Sequence, residues 1–363
     1  MKSDKKKILM SILPSVVAVL AGLLLGWYLM FLTRPVDSFG GLVTILTGGL
    51  SDKAEGIGTL LYTATPIILT GMSVGCSIQT GLFNIGASGQ LTAGGIAAIL
   101  VACNVTDMPP VVITILAMLT GVFAGVLWGA LSGALKAYFK VNEVISGIML
   151  NYICMLIGNI LIKTYAYNRT FNRSADIPKA VMLGDSLLGK MLPGSRISII
   201  FFISIVTVLV IKFILDRTTF GYELKLTGKN KYAGIYAGIN DKKNTILAMA
   251  ICGALSGLAG ALVYLSTFGD HISIVESVSP LGFTGISVAL LGMSNPLGII
   301  AAGLFIAHIT VGGTYLQLFS YTPDVVNMII GVIVFCGALV IPIRVFFEQL
   351  MKKRERAKKE AKV

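Results

Sequence analysis

The ten residues Gly81–Gln90, GLFNIGASGQ, place an Asn, a Ser, a Gln and three glycines inside a region that otherwise reads as bilayer. Irregular, polar backbone survives at that depth only where it faces other protein or a water-filled cavity. An internal polar route through a membrane follows, with Asn84, Ser88 and Gln90 as candidate lining.

The surrounding composition makes the bilayer the solvent. Hydrophobic residues are 55% of the 363 and charged residues 13%, whereas a soluble domain carries about a quarter charged. Ile8–Leu32 runs without a charge, long enough to cross a hydrocarbon core of roughly 30 Å. It follows the basic residues Lys2, Lys5, Lys6 and Lys7 but has neither the short apolar stretch nor the small-residue cleavage site of a secretory signal, so it reads as a retained anchor. Further apolar runs at Leu60–Ile78, Leu82–Cys103, Val111–Leu135, Val144–Ile162, Ile197–Leu215, Thr245–Ser266, Gly282–Leu291, Pro296–Val311 and Val325–Phe346 bring the expected crossings to ten. Gly282–Leu291 is too short to span alone and reads as a half-helix broken at Ser294, Asn295 and Pro296. The fold class is therefore all-α, a polytopic membrane protein with broken or half helices, with 1–363 as one transmembrane domain.

Charge sorting supplies an orientation. An even number of crossings with the N-terminus inside puts both termini in the cytoplasm, and 21 of the 29 Lys and Arg then fall on cytoplasmic segments, as the positive-inside rule requires. The external loop Lys163–Arg196 holds six of the remaining eight, which marks it as the place where a crossing is most easily miscounted. The net charge of +12 orients the protein and meets anionic lipid. The basic tail 347–363 lacks aromatic platforms and adjoins a membrane helix, so nucleic acid is excluded as a partner.

Catalytic and metal chemistry find little support. The five cysteines lie in or beside apolar runs without C-x-x-C spacing, and His271 and His308 are the only histidines, too few and too far apart for a zinc site or a triad. Gly184–Met191, GDSLLGKM, nearly matches a phosphate-binding loop, but Met191 stands where the magnesium-holding hydroxyl belongs. No cofactor, metal or intrinsic ATPase is expected.

Two patterns concern packing and partners. Gly121, Gly125, Gly129 and Gly133 recur every four residues on one helix face, and Gly253, Gly257 and Gly260 form a similar series; small residues let membrane helices approach backbone to backbone. The hydrophilic stretch 216–244 is no simple linker. Tyr222, Leu224, Leu226, Tyr232, Ile235, Tyr236 and Ile239 recur at near-helical intervals between glycines, giving an amphipathic helix that suits a cytoplasmic docking surface or an interfacial helix on lipid.

GLFNIGASGQ, the segment Asn142–Ile153 (NEVISGIMLNYI), and TGKNKYAGIYAGIN followed by ICGALSGLAGAL together resemble the permease subunits of bacterial ABC importers for nucleosides and simple sugars, most nearly the guanosine/nucleoside type. The resemblance runs from about Leu60 to Phe346. It implies a membrane-spanning half of an importer, served by a separate cytoplasmic ATPase, a second permease subunit in a heterodimer and an extracytoplasmic substrate-binding lipoprotein in the bacterial plasma membrane. It assigns ATPase coupling to Glu223, Gly228, Asn230, Ala233 and Gly238, and the translocation region to Phe83, Asn84, Gly86 and Gln90. Nucleoside permeases commonly carry Glu before the Gly-Gln of this motif, where this chain has Ser88.

The residues independently suit a neutral polar cargo. The expected crossings hold Asn84, Ser88, Gln90, Asn151, Tyr152, Ser287 and Asn295 but no ionisable pair at midplane, where ion-driven carriers keep acidic groups. An ion-driven secondary transporter is the alternative, and an intramembrane enzyme the more distant one. For Asn151 and Ser287 a simple interhelical hydrogen bond accounts for the polarity equally well.

Overall fold

The computed structural model describes residues 2–51, 53–183, 199–266, 271–274, 277–340, 342–346 and 349. The decoy loop Gly184–Met191 lies outside them, as does all of the basic tail 347–363 except residue 349. Among the described residues thirteen α-helices run in chain order: α1 Lys2–Thr33, α2 Ser38–Ser51, α3 Lys53–Gln79, α4 Ala87–Asn104, α5 Pro110–Phe139, α6 Glu143–Tyr165, α7 Ile199–Arg217, α8 Thr219–Lys229, α9 Lys231–Tyr236, α10 Asp241–Tyr264, α11 Leu281–Leu291, α12 Pro296–Thr314 and α13 Pro323–Ala338. A two-residue hairpin pairs Tyr167–Asn168 with Arg173–Ser174, and Arg173 also bridges Ser273.

Eight of these helices are long and apolar enough to cross a membrane, and three shorter ones are equally apolar. The expectation of ten crossings missed α2. Its sequence SFGGLVTILTGGLS is apolar but glycine-rich, and at 1.5 Å per residue it spans only about 21 Å. It packs on the far half of α12, where a Cβ at Gly48 would stand 2.8 Å from the Gly312 Cα, and the Leu46 carbonyl lies 2.8 Å from His308 Nε2. The described part of the loop after α6, 163–183, contains the hairpin and a short 3-10 turn rather than a crossing.

The closest helix packing is in the block of α4, α5 and α10, held by glycines. Gly121, Gly125, Gly129 and Gly133 are all buried on α5 and all face α10. A Cβ at Gly125 would come within 2.7 Å of the Gly257 Cα, one at Gly133 within 2.9 Å of the Ile246 Cα, and one at Gly121 within 2.9 Å of the Gly94 carbonyl on α4. Contact this close replaces side-chain packing with backbone dispersion, the principal source of cohesion between helices in lipid.

The half-helix expected at Gly282–Leu291 is α11. It crosses α3 where Thr70 Oγ1 lies 3.3 Å from the Leu281 carbonyl, and ends in two successive left-handed residues, Met293 and Ser294. Left-handed backbone at two non-glycine residues is costly, and it is held by a hydrogen bond from the Gln79 amide to the Ser294 carbonyl. Asn295 then caps α12, its side-chain oxygen accepting from Leu297 N at 3.0 Å.

Gly125→Leu or Gly129→Leu forces α5 away from α10 by more than side-chain repacking absorbs. Both variants are expected to lose folded yield and detergent stability sharply, measured by fluorescence-detected size exclusion across a temperature series; a melting temperature unchanged from wild type in both would show that this contact is dispensable.

Candidate functional site

The expected crossing Leu82–Cys103 is helical only from Ala87 onward, and the reason lies in the residues before it. Gly81 takes φ +73°, a left-handed turn that glycine enters without a steric penalty, and the chain doubles back beside α3. Asn84 Nδ2 donates to Ser73 Oγ at 3.0 Å, and Ser73 stands six residues before the end of α3, about 9 Å along its axis. Non-helical backbone is thereby carried into the bundle.

Every polar group of the Asn84 side chain is used there. Asn84 Nδ2 also donates to Gln90 Oε1 at 2.8 Å, and Gln90 Nε2 returns a bond to Asn84 Oδ1 at 3.1 Å. Ser73 Oγ accepts from Ser256 Oγ at 2.9 Å and donates to the Cys252 carbonyl at 2.7 Å, and Asn84 N donates to Ser77 Oγ at 3.1 Å. Asn84 is 0% and Gln90 1% exposed. A buried network satisfied this fully ties α3, α4 and α10 together around the loop.

Asn151 joins the loop to α6. Its Nδ2 donates to the Ile85 carbonyl at 3.1 Å, and its Oδ1 accepts from Gly89 N at 2.7 Å. Gly86 and Gly147 meet backbone to backbone: a Cβ at Gly147 would stand 2.9 Å from Gly86 N. Ser88 is buried and donates to the Ser279 carbonyl, and a Cβ at Gly282 would come 2.5 Å from the Ser88 Cα. A glutamate at position 88 would meet that carbonyl acceptor against acceptor, so the small hydroxyl suits this backbone. Phe83 is half-buried.

Two adjoining cavities lie along one face of α6. The larger, about 570 Å3, is lined by Ile85, Ile148, Asn151 and Tyr152 with Ser277, Val278, Phe283 and Ile286. The smaller, about 300 Å3, lies toward the C-terminal end of α6 and shares Ser277 and Val278; Thr92, Asn159, Tyr264, His271, Ser273 and Ser279 are among its lining. Of the expected pathway residues only Asn151 is among these linings. Asn84, Gly86, Ser88 and Gln90 are buried behind the wall that Ile85 and Asn151 form, and Asn295 borders a separate apolar groove between α1 and α12. Sequence reasoning missed Thr92, Asn159, Tyr264 and His271, which come from four separate segments. Asn159 alone left a signal, since it follows Asn151 by eight residues on one helix.

At the other end of the loop stands the hydrophilic stretch, resolved into α8 and α9. A Cβ at Gly81 would meet the Gly228 Cα at 2.6 Å, so the loop rests directly on α8. Asn230 ends α8 and caps α9, its Oδ1 accepting from Ala233 N at 3.1 Å. Glu223 is half-buried, Ala233 is exposed, and Tyr232 and Tyr236 are 75% and 92% exposed. Gly238 takes φ +80° with open space around it. Lys225 pairs with Asp216 at 2.6 Å, which fastens α8 to the end of α7.

Residues 56–338 match the family model described as branched-chain amino acid transport system / permease component. The chain is 32% identical to the guanosine ABC transporter permease of Bacillus subtilis over 96% of its own length and 99% of that protein's. It is 30% identical to a nucleoside ABC transporter permease of Lactococcus lactis, over 96% and 97% of the two chains. A glucose ABC transporter permease of Haloferax volcanii is 29% identical over 88% of this chain and 84% of its own.

Removing either amide of the Asn84–Gln90 pair strands the other in a buried site, a loss of about 1–3 kcal/mol. Asn84→Ala and Gln90→Ala are therefore expected to cost stability singly and to cost less than their sum together, a coupling of about 0.5–3 kcal/mol in a double-mutant cycle. Strict additivity would show that the two amides do not act as a pair.

Proposed function

From the chain's membership of the branched-chain amino acid transport system / permease component family, we propose that this multi-pass membrane protein forms half of an ATP-driven import pathway for a neutral polar solute, a nucleoside of the guanosine or purine type or else a simple sugar. It is a transport subunit rather than an enzyme. An ABC ATPase supplies the energy, and a substrate-binding protein supplies the cargo. The observation that carries this reading is the joint placement of a cavity and a docking surface on one loop: Ile85 lines the larger cavity, and Gly81, four residues before it, rests on α8.

The α8–α9 surface is the ATPase-coupling element. Tyr232, Ala233 and Tyr236 offer apolar surface away from the helix bundle, which favours a protein partner, and Gly228 passes displacement of that surface to the loop. Phe83, Asn84, Gly86, Ser88 and Gln90 serve the pathway by holding its wall, while Asn151 supports that wall from α6. Tyr152 and Phe283 give the larger cavity aromatic faces on which a base or sugar ring stacks. Asn295, as the cap of α12, fixes the turn after α11. The exposed cavity face is closed by a second, non-identical permease subunit, and both termini lie in the cytoplasm with α8–α9.

Ala233→Arg and Gly238→Glu are expected to reach the membrane normally and to lose the ATPase. Co-purification of the ATPase at wild-type yield with transport intact would remove α8–α9 from the coupling role. The cargo is settled by uptake of radiolabelled guanosine, uridine, ribose and glucose into proteoliposomes holding the complete transporter and its binding protein; ATP-dependent uptake of an amino acid alone would overturn the nucleoside and sugar reading.

A further inference from the structure

The smaller cavity has a construction of its own. Its roof, His271–Ser273, is pinned to the hairpin: Ile272 N donates to Ser174 Oγ at 3.0 Å, Ser174 N donates to the Ile272 carbonyl at 2.9 Å, and Arg173 Nη1 lies 3.2 Å from His271 Nε2. Its floor, Ser277–Pro280, is held from below by the hydrogen bond between Ser88 and the Ser279 carbonyl. Thr92, Asn159, Tyr264 and Ser273 bring hydroxyls and an amide to the walls, and the described lining contains no carboxylate, lysine or arginine. Arg173, which reaches the roof at His271, is matched by Asp176 at 2.9 Å, so the site carries little net charge. Convergent neutral donors and acceptors in a cavity of this size suit a small, uncharged, multiply hydroxylated ligand.

We infer that this cavity is a receiving site, filled by an uncharged nucleoside or sugar before the solute passes Ser277–Pro280 into the larger cavity. The inference rests on the proposed transport function. Position supports the sequence of events: the cavity lies at the end of α6 opposite Gly147, hence opposite the loop that meets α8, and the two chambers share Ser277 and Val278. A solute entering from that end meets hydrogen-bonding groups that replace its water before it meets the aromatic and aliphatic chamber beyond. Phosphate esters of the same solutes find no lysine or arginine in the described lining to balance them.

The test uses Asn159→Cys and Ser273→Cys, each in a Cys103→Ser background, in cells carrying the whole transporter. A membrane-impermeant maleimide is added outside, with and without guanosine, uridine, ribose, glucose, guanosine 5′-monophosphate or glucose 6-phosphate. Both cysteines are expected to react, and the transported solute is expected to slow labelling about tenfold at ten times its Kd, with no protection by either phosphate ester. Ser273 is exposed, so its variant keeps the test open should Asn159→Cys fail to fold. Absence of labelling at both positions, labelling indifferent to every solute, or equal protection by a phosphate ester overturns the receiving site. Uptake measured on the same cells separates the two readings: uptake without protection sinks the receiving site alone, and protection without uptake sinks the transport function alone.

Discussion

Inside a bilayer every peptide group must find its partner within the protein, and the loop 80–86 is one place where this chain meets that demand outside a helix. Each element around the loop is shaped by it. Ser73 and Ser77 stand fully buried on α3, where their hydroxyls serve the Asn84 side chain and backbone. Ser256 places a third hydroxyl on α10 for the same network. Asn151 on α6 satisfies one carbonyl of the loop and one amide in the first turn of α4 with a single side chain. The polar residues that make this region conspicuous are for the most part turned toward one another.

The glycine contacts give that network its rigidity. With α4, α5 and α10 at backbone separation, the three helices have little freedom to slide, and the hydroxyl of Ser256 keeps its register with Ser73. The periphery is built otherwise. α8 is anchored by Leu224, which is buried in the core, but α9 is short, joined to α8 through the single residue Asn230, and almost wholly exposed. A stiff block beside a lightly fastened helix is the arrangement in which local opening is confined to the latter.

The legible part of this architecture was the part with a period or a composition. Glycines four apart announced the α5 face, uncharged runs announced the long helices, and the interval of apolar residues through 216–244 announced helix, although the split at Asn230 needed the capping geometry to be seen. α2 was hidden because a 14-residue glycine-rich segment resembles a loop as much as a half-helix. The start of α4 at Ala87 was hidden because Leu82, Phe83 and Ile85 are as apolar as any helix, and tertiary bonds of Asn84 and Asn151 hold them out of one. The same bonds explain why polarity alone suggested a lining role for Asn84 and Gln90: a sequence reveals that an amide is present but not that its partner is another amide six residues on. The cavities were the least legible feature, since Thr92, Asn159, Tyr264 and His271 converge only through the packing of helices far apart in the chain.

The meeting of Gly81 with Gly228 is a contact between two bare backbones. Attraction between such atoms is slight, about 0.1–0.2 kcal/mol for each pair, whereas repulsion rises steeply once they are pressed together. A joint of this kind behaves as a buffer stop. It conveys compression from α8 into the loop at once and conveys almost no tension back, so retreat of α8 leaves the loop to the hydrogen bonds of its own network. In the proposed coupling role, a stroke delivered through this joint is one-directional, and the return stroke is left to Asn84, Gln90 and Asn151.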